Sequence, residues 1–143
     1  MNRPASPLLS RVTEPWRGLL LAAALILAGT SILHALAYPR VSQSLRATPL
    51  AETWGQQLDG LWLMFSVNMA IIAVFLAMAA IRRQMASDSG LLVCALLLAA
   101  TTALLGAFMG MFAGTLLVGT ASALVIIGRM IRLVVLASGS SKG

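Results

Sequence analysis

Between Gly90 and Gly128 the chain carries no charged side chain over 39 consecutive residues. As a single helix that run would be about 58 Å long, nearly twice the roughly 30 Å of hydrocarbon in a bilayer. It must therefore fold back on itself. The expected break is Gly106-Ala107-Phe108-Met109-Gly110, because glycine accepts the backbone angles of a tight turn. This leaves spans at about 91–105 and 111–128, the latter reaching 136 if Arg129 and Arg132 snorkel outward. Both are slightly short, and a break about four residues later suits the lengths as well.

Two more apolar runs precede this one. The first, 18–37, lies between Arg17 and Arg40, and the second, 60–81, is closed by Arg82 and Arg83. Of the 143 residues, 59% are hydrophobic and 10% charged, against about 45–50% and 25% in soluble domains. Mean hydropathy is +0.94. These values exclude a disordered chain, a coiled coil and an ordinary soluble enzyme. The expected fold is an all-α integral membrane protein, a small bundle of four transmembrane helices. Residues 1–17 form a tail and residues 18–143 a single four-span domain.

Ten Lys and Arg against four Asp and Glu give a net charge of +6. In a soluble protein that balance would suggest nucleic acid. Here the basic residues sit at the ends of apolar runs, where orientation and anionic head groups account for them, so no nucleic-acid partner is expected. Arg3, Arg11, Arg17, Arg82, Arg83, Arg129, Arg132 and Lys142 fall on one side, and Arg40 and Arg46 on the other. That asymmetry predicts a multi-pass bacterial inner-membrane protein with both termini in the cytoplasm. Tyr38, Trp54 and Trp62 on one side and Trp16 on the other read as interfacial aromatic belts. The amino-terminal arginines, the apolar run and Ala35-Leu36-Ala37 also match a signal peptide, but the run exceeds the usual 7–15 residues, so an uncleaved anchor is expected.

The one long polar connection, Tyr38 to Asp59, has internal pattern. Thr48-Pro49 reads as an N-cap followed by proline at the first helical position. Leu50, Trp54, Leu58 and Trp62 recur every four residues and make one apolar face. A short amphipathic helix resting on the outer surface is expected. The candidate ligand-binding residues, His34, Arg40, Glu52, Asp59 and Asn68, all lie toward this side. They can form a polar pocket open to the outer face, in which Asp59, if it lies near His34, would favour the imidazolium. The favoured reading of His34 and Asn68 is that they hydrogen-bond between helices or to a neighbouring chain.

Gly106, Gly110 and Gly114 are four apart, and Thr115, Gly119 and Ala123 repeat the spacing. With the first two needed for a turn, Gly114, Gly119 and Ala123 are the expected helix-packing positions, within the chain or against a partner helix.

The remaining chemistry is thin. Cys94 is the only cysteine, which leaves no pair for a disulfide-exchange enzyme, and it reads as an inert packing residue. His34 is the only histidine, where a bis-histidine haem needs two. One imidazole with Glu52 or Asp59 is a weak metal set. Ser31, Ser42 and Ser44 lack any nucleophile motif. Glu14, Glu52, Asp59 and Asp88 all lie outside the spans, unlike the first-span glutamate of the small multidrug-resistance exporters, and a proton-coupled exporter needs such a buried acid. The layout resembles that of small four-span bacterial inner-membrane proteins: a histidine near the end of the first span, then Tyr38-Pro39-Arg40, and Trp62 opening the second. That likeness carries no function. The sequence thus predicts no catalytic residues, metal or cofactor. It predicts membrane lipids, another copy or a partner membrane protein as contacts. The expected role is a non-enzymatic accessory subunit, assembly factor or scaffold. The alternative is a small-ligand or lipid-binding protein, or minor transport component, that uses the outer polar cluster.

Overall fold

A computed structural model describes residues 14–140, without the side chains of Leu50, Gly139 and Ser140. Arg3, Arg11 and Lys142, which enter the charge asymmetry, lie outside the described residues. Four helices follow one another: α1 (Pro15–Arg46), α2 (Leu50–Ile81), α3 (Asp88–Met109) and α4 (Ala113–Ser140), with one 3-10 turn at Arg83–Met85. All four are long and apolar enough to cross a membrane.

Three-residue turns join α1 to α2 and α3 to α4, so each pair is an antiparallel hairpin. Both hairpin turns lie at one end of the bundle, here the hairpin end. Pro15, residues 82–87 and the last turns of α4 lie at the other, the terminal end. Helix α1 packs on α2 and on α4, and α4 packs on α3, whereas α2 and α3 share no comparable contact. The helices are therefore arranged in the order α2–α1–α4–α3, the outer two meeting through side chains, as where the Phe75 ring of α2 lies against Gly90 of α3.

Helix α1 starts with proline at its first position, where the missing N–H costs nothing. Trp16, Leu20, Ala23, Ala24 and Leu27 form its buried stripe at helical spacing. Trp16 is 1% exposed, which corrects its assignment to an interfacial belt. Pro15 to Arg17 form the first turn of α1. At Gly128 of α4, an added Cβ would lie 3.3 Å from the carbonyl oxygen of Trp16 and 3.5 Å from side-chain carbons of Leu19 and Leu20. Glycine is what lets α4 approach α1 this closely.

The chain breaks between α3 and α4 at residues 110–112, at the far edge of the expected stretch. Gly106 to Met109 stay helical. Gly110 has φ +80°, a conformation that costs other residues and is open to glycine. The later break gives α3 22 residues and α4 28, so neither is short. Ser87 caps α3, its hydroxyl accepting from the Gly90 N–H at 3.1 Å.

The Tyr38–Asp59 connection is the main departure from expectation. No separate helix forms there. Helix α1 runs on through Pro39 to Arg46, the turn is only residues 47–49, and 50–60 are the opening turns of α2. Thr48 does not cap α2. Its hydroxyl donates to the Leu45 carbonyl at 2.7 Å. At 32 residues each, α1 and α2 are about 48 Å long and outreach a hydrocarbon layer by several turns.

The terminal end is tied by ion pairs that the spacing of charges does not reveal. Glu14 meets Arg17 at 3.1 Å and Arg83 at 3.8 Å, and Asp88 holds Arg129 at 2.8 Å. Arg129 is thus bound to the start of α3.

Candidate functional site

Polar groups in apolar helices must find partners within the protein. The isolated hydroxyls do so locally: Thr30, Thr101, Thr102 and Thr120 each donate to the carbonyl four residues back. Two sites instead bond between helices: Ser122 of α4 donates to the Ala95 carbonyl of α3 at 3.4 Å, and a larger cluster joins α1 to α2 toward the hairpin end. Ser31 donates to the Ser66 carbonyl at 2.7 Å, and the Trp62 indole N–H donates to the His34 carbonyl at 2.9 Å. The His34 ring stacks on Trp62, with centroids 3.9 Å apart and planes at 13°, and Phe65 lies beside it at 4.8 Å.

His34 Nδ1 is 2.9 Å from Ser66 Oγ. Ser66 is buried, and this is the one bond its hydroxyl makes among the described residues. A buried hydroxyl proton needs an acceptor, so Ser66 donates and Nδ1 accepts. That network assigns the ring proton of the neutral imidazole to Nε2, which has no partner among the described residues.

His34 also lines a cavity of about 300 Å³ set among all four helices. Its walls include Thr30, Trp62, Phe65, Leu105 and Val118, with Phe112 from the α3–α4 turn. The lining contains no carboxylate, cation or thiol. Thr30 has already spent its proton on the Ile26 carbonyl, so His34 is the one ring or hydroxyl donor left in an otherwise apolar space. The volume lies at the lower end of small-molecule sites.

The structure does not bring the expected polar cluster together. Asp59 accepts from Ser42 at 3.1 Å and lies 4.0 Å from Arg46. It sits seven residues before Ser66, about 10 Å along α2, so the anticipated His34–Asp59 pair gives way to a Ser42–Asp59–Arg46 group in the hairpin. Arg40 and Glu52 are exposed on the hairpin, and Asn68 is exposed on the outer face of α2. Of the five, His34 alone reaches the cavity.

The small-residue positions separate as well. A Cβ on Gly119 would come 3.1 Å from the Thr102 methyl of α3, and one on Gly114 would strike the Phe112 ring. Ala123 is exposed. Sequence reasoning missed Ser66, Trp62 as a stacking partner, and Gly128. A serine four residues after a tryptophan in an apolar run was the available signal. Among the described residues, no three His, Cys, Asp or Glu side chains are grouped to hold a metal ion. Comparison with protein-family models, with curated proteins and with solved structures finds no match.

Proposed function

We propose that the chain is a non-catalytic, multi-pass protein of a bacterial inner membrane that holds a neutral hydrophobic ligand between its helices. The observation that carries this reading is the 300 Å³ cavity with His34 in its wall. An uncharged lining rejects phosphate, carboxylate and ammonium groups, which would be stranded without a counter-charge. An apolar body with one acceptor, such as a carbonyl or ether oxygen, meets both the lining and the Nε2 proton. The accessory-subunit reading loses support because Gly119 faces α3 within the chain, which leaves less of the small-residue stripe for a partner.

The test is mild-detergent purification followed by mass spectrometry of bound small molecules. A neutral amphiphile is expected near one per chain. Leu105 is half-buried on the cavity wall, so Leu105→Trp takes up cavity space and should lower occupancy about tenfold. His34→Phe keeps the ring and removes the donor, and should weaken retention by about three- to tenfold, the worth of one hydrogen bond. Recovery of phospholipid alone, in bulk membrane proportions and unchanged by either substitution, would overturn the reading.

We further propose that the hairpin end faces outward and the terminal end the cytoplasm, since basic residues gather at the terminal end. A reporter inserted at Thr48 should read as exterior, and one fused after Lys142 as cytoplasmic. The reverse pattern would invert the assignment.

A further inference from the structure

Helix α2 has two faces of equal regularity. Ser66, Met69, Ala73 and Leu76 follow a 3-4-3 spacing and are buried. Leu61, Met64, Asn68 and Ile71 follow the same spacing and are exposed; the three apolar members are 55%, 54% and 61% exposed. Asn68 is two residues beyond Ser66, about 200° around the helix, so the second stripe lies opposite the first. The 3-4 spacing is that of a coiled-coil seam.

Asn68 makes no hydrogen bond with any described residue. It lies eight residues inside the apolar run that begins at Gly60, about 12 Å in, too deep for so short a side chain to reach water. A lone carboxamide in hydrocarbon leaves two donors and an acceptor unpaired. The exposed hydroxyls of Thr101 and Thr120 avoid this by bonding their own helices. Lipid tails cannot satisfy Asn68. Another carboxamide can, because the group is both donor and acceptor and therefore complements itself.

We propose that the chain forms a parallel dimer through the outer face of α2, with Asn68 bonded to Asn68 of a second copy across a two-fold axis. Leu61, Met64 and Ile71 supply the apolar knobs, and the asparagine sets the register, a role it has in coiled-coil seams. Leu61 also borders the cavity, but Met64, Asn68 and Ile71 do not, so the interface and the ligand reading are tested at different residues.

The test uses the full chain in liposomes, with Cys94→Ala as background. Ile71→Cys should cross-link between copies, and Ile126→Cys, exposed on α4, should not. Energy transfer between labelled copies, followed as lipid is added, gives the dissociation midpoint. Asn68→Leu should move that midpoint by about tenfold toward monomer, while Asn68→Gln, which keeps the carboxamide, should stay within about threefold of wild type. Asn68 is exposed, so neither change disturbs the fold, and an unaltered helical spectrum confirms that. A wild-type chain that is monomeric at every dilution, a dimer unchanged by Asn68→Leu, or cross-linking at Ile126 in place of Ile71 would overturn the proposal.

Discussion

Gly128→Leu is expected to destabilise the folded bundle by about 3 kcal/mol, toward the upper end of what overpacking costs. Any Cβ there already meets the Trp16 carbonyl oxygen at 3.3 Å and carbons of Leu19 and Leu20 at 3.5 Å. The nearest atom is main chain in the first turn of α1, so it cannot rotate away, and the longer leucine side chain must push α4 off α1. Gly128→Ala should cost about 1 kcal/mol, because a few tenths of an ångström suffice. Ala123→Leu, on the exposed side of the same helix, should fall within about 0.5 kcal/mol of wild type. Unfolding by a denaturing detergent in mixed micelles measures all three. Equal losses at positions 123 and 128 would show that α4 does not meet α1 at Gly128.

Trp16→Ala should be nearly as damaging, at about 3 kcal/mol, whereas Trp54→Ala should cost under about 0.5 kcal/mol. Trp16 is fully enclosed and Trp54 is 55% exposed. The figure for Trp16 sits low in the range for soluble cores because separated helices remain in lipid, so little transfer free energy is lost. What is lost is contact around the hole left by an indole. Part of the loss is electrostatic: the guanidinium carbons of Arg17 and Arg132 lie 5.1 and 5.8 Å from the ring centroid.

One member of the candidate site is legible in the sequence. His34 stands out as the one titratable ring near the end of an apolar run, and it does line the cavity. Its partners are not legible there. Spacing along one helix says nothing of which residue of another helix lies opposite, and Ser66 reads as an ordinary small residue until α1 and α2 are aligned. The same limit explains Asp59. Both carboxylate and imidazole lie toward the hairpin end, but the continuous helix through 50–60 raises Asp59 about 10 Å above Ser66, where Ser42 and Arg46 are the near neighbours.

Two properties of this chain are local and were therefore written in its sequence. Helix number follows from the lengths of the apolar runs, and the end bearing most basic residues follows from the positions of the arginines. Each needs only neighbours along the chain and the roughly 30 Å of hydrocarbon that a helix must match. Tertiary structure decided three others. It placed the α3–α4 turn at Gly110 because two packed helices set the span lengths. It buried Trp16 because α4 carries a glycine at position 128, more than a hundred residues away in sequence. It left Asn68 outside because α2 can turn only one of its two seams toward α1. The last two depend on how one helix is rotated against another, and two stripes of equal hydrophobicity leave that rotation undetermined until the surfaces meet.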